Sequence, residues 1–342
     1  MVSAADPRAA DAGAQMLRQG GSAVDAAFAT LLALNVVEPE SSGIGGGGYL
    51  VYSVRGAPPL TFDGRETAPH AAGGTWFFKN GQPMSHQEAI PGGRSVGVPG
   101  NLRMMALVHK RFGKLPWASL FQPAIRLARD GFKITPRLHN ALDRFRETGA
   151  LSAEARAIFY GADGSALPVG TLVRDEALAH FLEGIARNGP DSFYVGPNSR
   201  AIVASVNGSS RNPSQMTPGD LASYDSRPRT PVCGIYRGYR ICGMGPSSSG
   251  GIAVFETLKQ LERFNLAALG PNSPTAWHLI AESMRLAYAD RDQYLADSDF
   301  VPVPVAGLMD NAYLARRSAL IAPDRSIASV EAGNPPGATK LT

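Results

Sequence analysis

Five of the six residues from 43 to 48 are glycine, in the run Gly43-Ile-Gly-Gly-Gly-Gly48. Glycine loses more conformational freedom on folding than any other residue, so four in succession destabilise a helix or a strand interior. The run therefore marks a turn against which something else packs tightly. A helix-like stretch precedes it. Tyr49 to Val54 alternates and is rich in β-forming residues, which predicts a strand. A second short strand ends at Phe62, and Asp63-Gly-Arg-Glu66 follows at its mouth. A charged cluster at a strand end beside a glycine turn is a place to hold a charged small molecule.

Two motif matches fail on context. Gly43-x-Gly45-x-x-Gly48 has dinucleotide-binding spacing, but that fingerprint needs strand, glycines, then a helix whose N-terminus receives the pyrophosphate. Here the order is reversed. Gly93-Arg-Ser-Val-Gly97 matches the nucleophile elbow of α/β-hydrolases, which lies between a strand and the helix it feeds. Ile90-Pro-Gly92 is a poor strand end, and Val96-Gly-Val-Pro-Gly100 cannot start a helix. No Gly-x-x-x-x-Gly-Lys-Ser/Thr loop occurs.

With 342 residues, 44% of them hydrophobic and 18% charged, the chain can bury a sizeable core. Its 33 basic and 29 acidic side chains leave a net charge of +4, scattered without a basic run, which argues against nucleic-acid or polybasic membrane binding. The longest apolar stretch, Ala26 to Val37, is interrupted by Thr30 and Asn35 and reads as a buried helix, so no stable membrane insertion is expected. No charged n-region with an apolar h-region opens the chain. The 38 glycines and 26 prolines fit a loop-rich α/β (α+β) fold, and the length suggests one large domain or about two.

Asp6-Pro7 and Ser22-x-x-Asp25 predict the starts of two helices, the second running from Ala23 to Val37. Further helices are expected over 101–112, 116–130, 135–148, 152–159 and 174–188. Others should begin at Thr217-Pro-x-Asp220, after the small-residue turn Met244–Gly251, and over 277–295 and 311–321. Residues 333–342 have the composition of a flexible tail. The six histidines are dispersed, with no His-x-x-x-His or Cys-x-x-Cys, so no metal site is indicated. Asp290-Arg-Asp292 and Asp297-Ser-Asp299 lack the spacing of a calcium loop and read as helix-end caps.

Cys233 and Cys242 flank a hairpin with Arg237-Gly238 as its two-residue loop. Counting outward, Tyr236 faces Tyr239 and Cys233 faces Cys242 at a non-hydrogen-bonded pair. Such Cα atoms approach to about 4.5 Å, within reach of a disulfide. A disulfide is favoured over two buried thiols on one face, and it implies an oxidising compartment.

Several motifs together resemble one family, the γ-glutamyltranspeptidases (γ-glutamyltransferases, glutathione hydrolases). They are Gln19-Gly-Gly-Ser-Ala-Val-Asp-Ala-Ala27, Gly43-Ile-Gly-Gly-Gly-Gly-Tyr49, Asp63-Gly-Arg-Glu-Thr-Ala-Pro69 and Val98-Pro-Gly100. Further on come Pro123-Ala-x-x-Leu-Ala-Arg-Asp-Gly-Phe132, Tyr236-Arg-Gly-Tyr239, Pro246-Ser-Ser-Ser-Gly-Gly251 and Tyr288-Ala-Asp-Arg291. They occur in the family's order and span nearly the whole chain.

The resemblance implies an N-terminal-nucleophile hydrolase, a four-layer αββα sandwich made from an autoprocessed proenzyme. This sequence is similar to the large subunit, which implies a single domain over residues 1–342. The fold is then completed by a small subunit from the same precursor, whose N-terminal threonine is the nucleophile. The family's Thr-His-aromatic-Ser stretch is absent, so no catalytic nucleophile is placed in this chain, and 333–342 lies near the processing site. Arg65 matches the arginine that holds the α-carboxylate of the γ-glutamyl group, as a planar guanidinium can do bidentately. Asp63 and Glu66 are expected to orient it.

The implied substrates are glutathione and related γ-glutamyl compounds, with amino acids or peptides as acceptors. Neither a cofactor nor a metal is implied. Oxyanion donors and contacts to the α-amino group are expected from the small subunit. The implied location is periplasmic or secreted, a signal peptide having been removed. A glutaryl-type cephalosporin acylase of the same fold and a non-catalytic binding relative are the competing readings.

Overall fold

Ser22 and Asp25 close the start of helix Ala23–Val37 as a reciprocal cap. Ser22 Oγ accepts from the Asp25 amide at 3.1 Å, and Asp25 Oδ2 accepts from the Ser22 amide at 2.7 Å. The same Asp25 oxygen accepts from the amides of Lys114 and Leu115 at 2.9 and 3.2 Å, so one buried carboxylate also fixes a distant loop. Ten of the helix's fifteen residues are buried, consistent with its apolar character on nearly every side. The computed structural model from which these contacts come describes residues 1–339.

The chain divides into two compact units. The first comprises Met1–Gly48 and Asp63–Arg227. Its helices include Pro7–Arg18, Ala23–Val37, Asn101–Phe112, Trp117–Asp130 and Glu176–Asn188. Phe28, Leu32, Leu102, Met105, Leu120 and Phe121 are buried in its core. Removing such side chains from water contributes about 1.5–3 kcal/mol each. The helix expected over 135–148 is broken into Pro136–Arg144 and Arg146–Gly149. Helix Pro197–Asn207 has no counterpart in the sequence reading. Its apolar stripe is short, Ile202, Val203 and Val206, and Ser199 is the one residue of the helix that is buried.

The second unit comprises Tyr49–Phe62 and the chain from Pro228 onward. Helix Gly250–Leu261 packs on helices Pro274–Tyr294 and Asn311–Ala319. Strands Val232–Tyr236 and Tyr239–Gly243 form the expected hairpin, with Tyr236 opposite Tyr239 and Cys233 opposite Cys242. Along the chain, strands Gly48–Tyr52, Leu60–Gly64 and Arg227–Arg229 hydrogen-bond in that order as a three-stranded sheet. Part of the stretch with tail composition is held firmly. The Gly333 amide donates to Asp290 Oδ1 at 2.7 Å, and its carbonyl accepts from the Tyr294 hydroxyl at 2.6 Å. Residues 340–342 of that stretch lie outside the described residues. Among the described residues no helix is long and apolar enough to cross a membrane.

Candidate functional site

The glycine turn is built into the helices on either side of it. The Ile44 amide donates to Asn35 Oδ1 at 2.8 Å, and Asn101 Nδ2 donates to the Gly43 carbonyl at 2.8 Å. The Gly46 carbonyl accepts from the amides of Gly100 and Asn101 at 3.0 and 3.1 Å, closing the start of helix Asn101–Phe112. Gly47 shows what the run is for. A Cβ there would lie 2.5 Å from the Glu66 amide nitrogen and 2.6 Å from the Gly64 carbonyl oxygen. Only a residue without a side chain lets the Asp63–Glu66 segment lie this close.

Arg65 is thereby held by its backbone while its side chain stays 58% exposed. Its amide donates to Asp63 Oδ1 at 2.9 Å, and its carbonyl accepts from the Tyr224 hydroxyl at 2.6 Å. Glu66 Oε2 lies 3.5 Å from Arg65 Nη1, beyond ordinary hydrogen-bond length, and is buried with no hydrogen-bond partner. The guanidinium thus keeps donors free toward solvent, with a carboxylate close enough to orient it. That arrangement can receive a carboxylate in a bidentate fashion.

A second stretch reaches the same segment. Ser226 Oγ donates to the Asp63 carbonyl at 2.6 Å, and Asp220 Oδ1 accepts from the His70 amide at 2.9 Å and contacts His70 Nδ1. Burial pushes the Asp220 carboxyl up, but the hydrogen bonds from His70 and Thr217 outweigh it and hold the group down at about 2. The sequence reading missed Tyr224 and Ser226. They lie 159 and 163 residues from their partners, and no local pattern reports such a contact.

The remaining sequence candidates fall elsewhere. The Cys233 and Cys242 sulfurs are bonded, with Cα atoms 4.1 Å apart, in the second unit. Ser95 sits in a 3-10 turn, and its hydroxyl donates to the carbonyls of Ile90 and Gly92 at 2.5 and 2.9 Å, an occupied geometry unlike that of an elbow nucleophile. Asp290 is not a helix cap. It is buried inside helix Pro274–Tyr294 and bonds Tyr313, Arg317 and Gly333. Among the described residues no group of three or more His, Cys, Asp or Glu is placed to hold a metal.

The helix and strand arrangement is the mixed α+β fold of N-terminal-nucleophile hydrolases, shared with solved γ-glutamyltranspeptidase chains. It matches the Helicobacter pylori γ-glutamyltranspeptidase structure with a TM-score of 0.91 and 34% identity, covering 97% of this chain and 95% of that one. The family model for γ-glutamyltranspeptidase matches residues 9–340, and the chain belongs to that family. A glutathione hydrolase proenzyme of Bacillus subtilis (strain 168) is 37% identical over 337 residues, covering 98% of this chain and 57% of the relative. An acylase ACY 1 proenzyme of Pseudomonas sp. (strain V22) is 38% identical over 337 residues, covering 95% of this chain and 59% of the relative. The chain therefore spans less than two thirds of these curated relatives.

Proposed function

We propose that this chain is the large subunit of an enzyme that hydrolyses and transfers the γ-glutamyl group of glutathione and related compounds. The observation that carries the proposal is Arg65, fixed through its backbone and open at its guanidinium, on the segment where the family resemblance puts carboxylate recognition. The names of the relatives and their greater length support a proenzyme from which a small subunit supplies the rest.

In this scheme Arg65 pairs with the substrate's α-carboxylate, and Glu66 and Asp63 orient Arg65. The threonine hydroxyl of the small subunit attacks the γ-amide carbonyl, with the threonine's own amine taking the proton. The C–N bond breaks, the leaving amine receives a proton, and a γ-glutamyl ester remains on the enzyme. Water then releases glutamate, or an amino acid or peptide amine accepts the group. Processing of the precursor creates the free threonine amine, so it precedes all of this. The Cys233–Cys242 disulfide supports a periplasmic or secreted location.

The acylase name of that relative supports one second reading, removal of a different acyl group, for which the family resemblance offers glutaryl. A glutaryl chain keeps the terminal carboxylate and lacks the α-amino group, so Arg65 serves either substrate. The choice then rests with residues that meet the amino group.

Intact mass and N-terminal sequencing of everything that co-purifies with this chain, expressed from its full-length gene, test the proposal. A second polypeptide beginning with threonine is expected. A single folded, monodisperse polypeptide that yields no threonine N-terminus contradicts it.

A further inference from the structure

We propose that Asp220, Tyr224 and Ser226 are positioning residues that set the Arg65 segment for carboxylate binding. The inference rests on the reading of Arg65 above. Within residues 63–70 one short stretch supplies three side-chain tethers, beside the backbone bridge of Thr67 to Val98. Ser226 Oγ holds the Asp63 carbonyl, the Tyr224 hydroxyl holds the Arg65 carbonyl, and Asp220 holds the His70 amide and ring. The order along one segment is reversed along the other, so the two run past each other and are joined at both ends and the middle.

The stretch that does this is itself firmly seated. Helix Pro218–Ser223 starts with a reciprocal cap in which Asp220 Oδ2 accepts from the Thr217 amide and hydroxyl at 2.7 and 2.8 Å. Asp220 therefore uses one oxygen on its own helix and the other on His70. The Tyr224 ring stacks on Tyr194, with centroids 6.2 Å apart and planes 15° from parallel. Tyr194 is buried, donates to the Pro99 carbonyl at 2.9 Å and accepts from the Arg103 amide at 3.2 Å. Gly100 leaves the room this needs, since a Cβ there would lie 2.1 Å from the Tyr224 hydroxyl. Burial raises both phenols well above the ordinary tyrosine range, with Asp63 adding to the effect on Tyr224, so both stay protonated donors at any working pH.

Arg65 itself has little else to fix it. Its side chain is mostly exposed and its Glu66 contact is long. The guanidinium's place is therefore set by the backbone from which it projects. A looser backbone weakens carboxylate pairing in ground state and transition state alike, which raises KM and leaves kcat nearly unchanged.

The test uses enzyme made from the full-length gene and two chromogenic amides. One is γ-glutamyl-p-nitroanilide. The other is 4-aminobutyryl-p-nitroanilide, the same chain without the α-carboxylate. The readout is the ratio of their kcat/KM values. Tyr224→Phe keeps the ring stack and removes one hydrogen bond, so the ratio should fall roughly five- to tenfold through KM. Ser226→Ala should lower it in the same direction, by a smaller factor. A ratio unchanged in both variants, or a loss shared equally by the two amides, overturns the inference. Arg65→Ala run alongside separates the two claims. If it collapses the ratio while Tyr224→Phe does not, positioning alone fails. If Arg65→Ala leaves the ratio intact, the reading of Arg65 fails and this inference falls with it.

Discussion

The Tyr313 hydroxyl donates to Asp290 Oδ2 at 2.6 Å inside the second unit, and Arg317 Nη2 lies 3.1 Å from the other oxygen of the same carboxylate. Glu256, from helix Gly250–Leu261, is fully buried beside this group, and neither of its oxygens has a hydrogen-bond partner. Burial first, and then the Asp290 charge, push its carboxyl up to about 9 against the opposing pull of Arg317. The group is thus neutral in the folded protein at pH 7 and ionised in the unfolded chain, whose carboxyl titrates near 4.5. Between those two values the unfolded chain binds fewer protons, so Glu256 makes stability fall as pH rises. Glu256→Gln should remove that loss. The expected gain is at most about 5 kcal/mol at pH 8 and close to nothing at pH 4. Urea midpoints at the two pH values check it, and a gain independent of pH would contradict it.

Gly47→Ala forces a methyl group to within 2.5 Å of the Glu66 amide nitrogen and 2.6 Å of the Gly64 carbonyl oxygen. Both are backbone atoms and cannot swing away. A loss of roughly 1–3 kcal/mol is expected, with weaker binding of γ-glutamyl substrate because the Arg65 segment must shift. Gly45→Ala is the control, since nothing lies within 4 Å of its added Cβ. Thermal melts of the two variants should differ clearly. Equal melting points would show that the turn does not press on the segment.

The Cys233–Cys242 link closes a loop of sequence separation 9. Constraining so short a loop in the unfolded chain contributes about 2–3 kcal/mol. Reductant should lower the melting temperature of the native chain and leave a Cys233→Ser, Cys242→Ser double variant unchanged. If thiol titration of the unreduced, unfolded protein finds two free groups, the disulfide is absent in solution and the expectation fails.

What the sequence disclosed was local. The Ser22–Asp25 cap and the helix behind it follow from residues three apart, and the hairpin register follows from a two-residue loop. The glycine run announced a close approach, and Gly47 against Glu66 is that approach. What escaped was long-range or buried. Asp290 read as a helix cap because its real partners, Tyr313 and Gly333, lie 23 and 43 residues away. Glu256 looks like any charged position on an amphipathic helix until burial strips it of partners. Tyr224 and Ser226 carry no local mark of the backbone they hold, and Arg65 stands out in the sequence as a candidate without any sign of the tethers on its segment.

Arg65 as the α-carboxylate anchor is the central claim, and Arg65→Lys tests it most directly when read beside Arg65→Ala. With γ-glutamyl-p-nitroanilide, the alanine variant should lose kcat/KM by roughly a hundredfold or more, as a charge-assisted pair worth about 3 kcal/mol is removed. The lysine variant should recover part of it, because it keeps the charge and loses the planar fork. Neither change should alter precursor processing. If the processed alanine variant matches the native enzyme on this substrate, Arg65 is not the anchor.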